Sequence, residues 1–278
     1  MQDPTASPRG ESQLPVPQIP QATQQQPRPQ QPQVQITLAT VNARGLCDRD
    51  ARISTWNALK RLKADIICVQ ETKIQQGADE QFLSEGWGGE VFWAFSDRSA
   101  AGVAILFSER SSAEPIGPAT TTPGGRFVSV PFTWEGQRCT ITCIYGPSTG
   151  SITEREEFYS EIHEALEDPG YSGSWNFVAG DFNCFTDGTL DKHGGNQNNT
   201  APPALNTMMA TLNLLDAFRW KHPSKKDFTW ERGDIASRLD KILVPATLTP
   251  MILTARHHRV PRTDHKAVVV TLAKINIL

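Results

Sequence analysis

Asn42, Glu71, Tyr145, Asp181, Asn183, Asp240, Asp264 and His265 are the side chains of this sequence whose types suit a single chemistry. Carboxylates and amides are hard oxygen ligands, and neither a paired CxxC nor an HExxH stands among them. Such donors fit Mg2+ or Mn2+, ions that keep some of their water and bind through one or two carboxylates plus a substrate phosphate. One histidine and one tyrosine add proton donors for a phosphate oxygen. The set points to metal-assisted hydrolysis of a phosphate ester, with water as the nucleophile. No GxxxxGK[ST] loop is present to cradle a nucleoside triphosphate.

These residues stand where strands are predicted to end. QITLATV (35 to 41) reads as a strand that stops at Val41-Asn42, and DIICVQ (65 to 70) as a strand covered on both faces that runs into Glu71. CTITCIY (139 to 145) ends on Tyr145, and WNFVAG (175 to 180) delivers Asp181, Phe182 and Asn183. Asp240 lies within the strand RLDKILV (238 to 244), and Thr263-Asp264-His265 opens the last strand, HKAVVVTLA (265 to 273). GVAILF (102 to 107), FVSVPF (127 to 132) and DFTW (227 to 230) are further strands. Singly, each polar residue has a plain explanation: a cap, a turn, or for Asp240 an ion pair with Arg238 or Lys241. Together they are harder to dismiss, because packed strands bring their ends to a common rim.

Helices are predicted over 49 to 63, 151 to 168 and 202 to 215. In the second, Ser151 or Thr153 is the cap, and Ile152, Phe158, Ile162 and Leu166 are the buried stripe. Many strands with few but regular helices imply an α/β fold: a four-layered α/β sandwich of two packed, mostly antiparallel or mixed sheets flanked by helices.

Bulk properties bound the rest. Residues 1 to 34, containing PVPQIPQATQQQPRPQQPQV, are too poor in large apolar groups to offset ordering entropy, and a disordered tail is expected there. Residues 35 to 278 hold no linker or repeat, so one catalytic domain is expected. Five cysteines without paired spacing argue against a disulfide framework, and Cys68, Cys139 and Cys143 read as buried small hydrophobes. No secretory signal or membrane span is legible, so a soluble intracellular protein is expected. A net charge of −3 gives no global attraction to a polyanion, so local cations and a metal must provide it.

The ordered set VNARGL (41 to 46), ICVQETK (67 to 73), GVAILF, IYGPS (144 to 148), GDFN (180 to 183), SRLDKILV (237 to 244) and TDHKAVVV (263 to 270) resembles the endonuclease/exonuclease/phosphatase superfamily from about residue 36 onward. DFTW, SRLDKILVP and LDKHGG (190 to 195) are most similar to the endonuclease domains of non-LTR (LINE-type) retrotransposons. Exonuclease-III-like abasic-site enzymes are the rival, with a phosphomonoesterase or a binding module behind them. Two positions depart from the repair enzymes: Ser237 stands where they place a pocket tryptophan, and Arg44 where they place an aspartate.

The resemblance implies a Mg2+- or Mn2+-dependent nick in DNA that leaves a 3′-hydroxyl and a 5′-phosphate, as in target-primed reverse transcription. It implies that Glu71 is the main metal ligand, with Asn42 beside it and Asp264 supporting the ion or its water. Asp181 would orient or deprotonate the attacking water, Asn183 would hold the scissile phosphate and His265 would contact a nonbridging oxygen. Asp240 would fix the imidazole, and Tyr145 would donate to phosphate or shape the leaving-group side. Arg44, Lys192 and Arg262 are the best-placed DNA contacts, ahead of Arg98, Arg126, Lys225, Lys226, Arg232, Arg256 and Arg259. The hairpin ERGDIAS (231 to 237) resembles the one that influences target choice. A nuclear monomer acting on DNA is expected. No reverse transcriptase follows Leu278, so the chain is expected to be a piece of a longer polyprotein or a degenerate copy expressed alone.

Overall fold

The computed structural model describes residues 35–97, 101–167, 174–195 and 199–273; the tail expected at 1 to 34 and Arg98 lie outside the described residues. Among the described residues, no helix is long and apolar enough to cross a membrane.

The first half of the chain builds most of one sheet. Its strands are β1 (Gln35–Asn42), β2 (Ile66–Gln70), β3 (Val91–Ala94) and β4 (Val103–Phe107). Helix α1 (Arg49–Lys60) carries β1 over to a parallel β2, capped by Asp48, whose carboxylate accepts from the Ala51 N–H at 2.7 Å. A short α2 (Glu80–Ser84) leads to β3.

The second sheet takes β5 (Ala113–Pro115), β6 (Thr120–Thr121), β7 (Phe127–Trp134), β8 (Gln137–Tyr145) and β9 (Trp175–Asp181). Here α3 (Ile152–Leu166) makes the crossover between parallel β8 and β9, entered through a capping box of Ser151 and Glu154. The short β10 (Lys192–His193) precedes α4 (Pro203–Thr211), β11 (Leu214–Asp216) and α5 (Ala217–Lys221). Then come β12 (Trp230–Arg232), β13 (Ile235–Ser237), β14 (Asp240–Pro245), a 3-10 turn, β15 (Ile252–Arg259) and β16 (Lys266–Ala273).

One six-stranded sheet runs β15-β16-β1-β2-β4-β3 and one seven-stranded sheet β11-β14-β9-β8-β7-β5, with β6 on β7; β10, β13 and β12 form a small third sheet. Apolar alternation along the strands divides the core. Ile36, Leu38, Ile66, Cys68, Val128, Val130, Ile141, Cys143, Phe177, Val268 and Val270 fill the space between the two large sheets. The residues of opposite parity on the first sheet, Ala39, Val41, Ile67 and Val69, pack on Trp56 and Leu59 of α1. On the second sheet, Ile144, Val178 and Leu243 pack on Tyr159 and Ile162 of α3 and Leu205 and Met208 of α4. Helix, sheet, sheet, helix: the four layers follow from this parity.

Several boundaries differ from the sequence reading. Ile152 is 65% exposed, because it lies in the first turn before α3 reaches the sheet, and Tyr159 takes the buried place instead. The helix predicted over 202 to 215 stops at Thr211, where Asn213 turns with φ 51° and the chain enters β11. Only Trp230 of DFTW belongs to a strand, and Arg238 and Leu239 precede β14 as a buried turn.

Candidate active site

Register brings the polar residues to one rim. Asn42 pairs with Gln70 at the exit of the parallel β1–β2 pair, and Tyr145 pairs with Asp181 at the exit of β8–β9. Strands β14 and β16 run antiparallel to these, so their first residues, Asp240 (opposite Asp181) and Lys266, arrive at the same end. Gly180 is required just before Asp181: a Cβ there would lie 2.0 Å from the Ile144 carbonyl oxygen. Gly146 faces the same constraint, since its Cβ would meet the Phe182 carbonyl at 2.5 Å.

The buried amide of Asn42 joins the sheets, donating from Nδ2 to Glu71 Oε1 at 2.8 Å and to Asp181 Oδ2 at 3.0 Å. The Tyr145 hydroxyl donates to the same Glu71 oxygen at 2.9 Å, and Lys73 Nζ lies 3.4 Å from Oε2. Across the rim, His265 Nδ1 meets Asp240 Oδ2 at 2.8 Å, which leaves Nε2 pointing toward Asp181 Oδ2 at 4.0 Å. Asn183 is held by its backbone N–H on Asp181 Oδ1 (2.9 Å) and by Nδ2 on the Gly146 carbonyl (2.8 Å). Asp264 accepts from Arg44 NH1 at 2.7 Å and from the Trp230 indole at 3.1 Å, both at Oδ2. Glu71 (φ 51°) and Asn183 (φ 49°) hold left-handed backbone, and Arg44 and Lys73 do so beside them, a concentration of local strain typical of functional sites.

Burial sets the protonation states. It opposes charge on His265, but the Asp240 and Asp181 carboxylates outweigh it and raise the imidazole to about 9. Burial, with the Asp240 charge, raises Asp181 to about 6 against the pull of His265 and Asn42. Burial and the Glu71 charge hold the Tyr145 phenol well above its ordinary range, so it remains a donor.

Hard oxygen donors dominate the site, and two buried carboxylate oxygens, Asp240 Oδ1 and Asp264 Oδ1, have no hydrogen-bond partner among the described residues. Such a set fits Mg2+ or Mn2+. Among the described residues one such grouping is Asp181, Asp240 and His265, whose ligand atoms lie within 4.8 Å of one another; Glu71, the ligand that the resemblance implies, is tied to Asn42 Nδ2 at 2.8 Å. Coordination by this grouping through His265 Nδ1 would break the His265–Asp240 hydrogen bond, whereas Nε2 is directed toward Asp181.

Asp240 is thus the partner of the histidine, whereas Arg238 and Lys241 turn elsewhere. Arg238 is buried in bidentate contact with Asp191 (2.8 and 2.9 Å) and at 2.6 Å from Asp216, while Lys241 Nζ donates to the Cys184, Arg238 and Leu239 carbonyls. Arg44 reaches the centre through Asp264. Lys192 lies on β10 with its ammonium 5.7 Å from the Phe185 ring centroid, and Arg262 is exposed on the turn before Thr263. Arg126, one of the lesser candidates for DNA contact, donates to the Tyr145 and Gly146 carbonyls at 3.1 and 3.3 Å and stacks over the tyrosine ring.

Sequence reasoning missed Thr263, whose hydroxyl donates to the Asn42 carbonyl at 2.7 Å and accepts from the His265 N–H at 3.1 Å. Its place in TDH was the available signal. It also missed the Trp230–Asp264 bond, for which the sequence carries no local sign. The sequence reading excludes a GxSxG nucleophile elbow, and this is corrected: GPSTG (146 to 150) has that spacing. Ser148 is exposed beyond the end of β8, and the His265 Nε2 faces Asp181, so no triad forms around it.

The sequence profile of the endonuclease/exonuclease/phosphatase family matches residues 39–265, and the chain belongs to that family. Over 237 residues it is 24% identical to the Transposon TX1 uncharacterized 149 kDa protein of Xenopus laevis, a match covering 84% of this chain and 18% of that one. The chain therefore spans under a fifth of that relative. Solved structures share the fold: an AP endonuclease from Leishmania major has a TM-score of 0.71 at 16% identity, covering 87% of this chain and 88% of that one. The Xenopus laevis APE2 catalytic domain has a TM-score of 0.70 at 20% identity, covering 87% of this chain and 94% of that one.

Proposed function

We propose that this chain is a Mg2+- or Mn2+-dependent endonuclease that nicks DNA to leave 3′-hydroxyl and 5′-phosphate ends, serving a non-LTR retrotransposon in target-primed reverse transcription. The observation that carries this reading is the Asn42 amide shared by Glu71 and Asp181, with the Asp240–His265 pair facing it. The family profile and the transposon relative support it.

Asp181 is the base that takes the proton from an attacking water, and Asn183, Tyr145 and His265 surround the phosphate. His265, kept protonated by Asp240, donates from Nε2 to a nonbridging oxygen as charge develops there. Water adds to phosphorus and gives its proton to Asp181, the bond to the 3′ oxygen breaks, and that oxygen takes a proton from solvent to leave as the 3′-hydroxyl. Glu71, with Asn42 beside it and Asp264 supporting its water shell, would hold a divalent ion, which when bound would supply Lewis acidity toward the phosphate. Arg44, Lys192 and Arg262 supply local positive charge for DNA, in a catalytic domain of residues 35 to 278 that acts as a monomer in the nucleus beside a reverse transcriptase domain.

Asp181→Ala and His265→Ala are each expected to lower nicking of supercoiled plasmid by at least about 10²- to 10³-fold, with circular dichroism unchanged. Near-normal nicking by both variants contradicts the assignment. Abasic-site cleavage is the second reading, favoured by Trp230, an aromatic group bridged to the His265 backbone and set opposite Ser237. Parallel assay of intact plasmid and abasic duplex separates the two; a strong preference for the abasic duplex supports the second.

A further inference from the structure

Arg44 does something at this site that a plain DNA contact would not. Its guanidinium bonds Asp264 Oδ2 at 2.7 Å, although the arginine side chain is half exposed and free to extend toward solvent. The placement is built rather than incidental. The Arg44 N–H donates to Asn42 Oδ1 at 3.1 Å, fixing a left-handed turn with φ 55°, while Thr263 ties the opposite turn to the Asn42 carbonyl at 2.7 Å. Both turns are thus anchored on the residue that bridges Glu71 and Asp181. The Trp230 indole donates to the same Asp264 oxygen, leaving Oδ1 buried and without a partner among the described residues.

A guanidinium is a permanent cation at any working pH. Asp264 is therefore already neutralised, and a divalent ion bound to it would have to sit beside a fixed positive charge. Glu71 differs: its nearest cation is the more weakly placed Lys73 at 3.4 Å, and its other contacts are neutral donors.

We infer that Arg44 is the built-in second cation of this centre, a positioning residue that holds Asp264 in place of a second metal ion, so that the site takes a single Mg2+ or Mn2+ at Glu71. This rests on the metal-dependent reading above. The test is Mn2+ titration of the DNA-free protein, followed by calorimetry and by the electron paramagnetic resonance of free Mn2+. The expected stoichiometry is one for wild type and two for Arg44→Asp, returning to one when Asp264→Asn is added. Arg44→Asn, which suits the left-handed turn, is expected to gain a second ion at least tenfold weaker than the first, and guards against misfolding of the aspartate variant. Two ions on wild type, or one on both Arg44 variants, overturns the inference and leaves the metal-dependent reading standing. No ion on wild type overturns both.

Discussion

His265 owes its charge to Asp240, and this is directly measurable. In metal-free protein the imidazole is expected to titrate near 9 by NMR, and Asp240→Asn should lower that value by removing the main influence that opposes burial. A histidine that titrates at its ordinary value in both proteins contradicts the pairing. The raised value also links to stability. The contribution is fully present below the unfolded value of about 6.5 and is lost as pH rises through about 9. At this scale the sequence was most informative where chemistry needs a particular atom. GDFN stood out because glycine, aspartate and asparagine serve a strand interior badly, and Gly180 is there because the Ile144 carbonyl leaves no room for a Cβ. Arg44 was harder to place. Its type announced a cation, but only coordinates reveal that the cation answers Asp264 across 220 residues of chain.

Elements hold the site through buried charge as well as packing. Asp191 accepts from Arg238 and Arg219, and with Asp216 it pins the segment before β10 to the turn that launches β14. Asp191→Ala leaves Arg238 buried with one carboxylate fewer and is expected to destabilise the fold by about 3–5 kcal/mol in chemical denaturation. A loss below about 1 kcal/mol contradicts the role of the network. Although burial works against its charge, the Arg238 contacts hold Asp191 down at about 2. Its stabilising share is thus present above the unfolded value of about 3.9 and is lost as pH falls through about 2. The β12–β13 hairpin is the element most open to exchange: residues 231 to 234 are exposed, while Trp230 at its base is fixed to Asp264. Grafting another loop over 231 to 234 is expected to change which sites on a plasmid are nicked while nicking persists, and an unchanged cleavage ladder counts against a role in target choice. Continuous apolar strands such as β2 and β4 were legible from pattern alone. Edge strand β15 was not, because ILTARHHR alternates charge with small apolar groups and reads as loop without its neighbour β16. The end of α4 was missed because LNLL continues its apolar run into β11.

At the scale of the molecule, two sheets each contain a parallel pair joined by a crossover helix, and packing them face to face directs both pairs of strand exits to one rim. That geometry explains how residues from Asn42 to His265 meet although no short segment contains them. It was legible because every participant except Asp240, which was placed within a strand, stands at or just beyond a predicted strand end. The layers were read from many strands with few but regular helices, whereas the parity that sorts apolar residues among the three cores shows only in the structure, because strands such as β2 and β4 are apolar throughout. What this rim is proposed to do is most directly tested by the ends it creates. Supercoiled plasmid treated with the purified chain in Mg2+ should be nicked and should then prime DNA polymerase without further processing, and a chelator should abolish the nicks. Nicks that persist in chelator, or that require removal of a 3′-phosphate before extension, contradict metal-assisted hydrolysis at this rim.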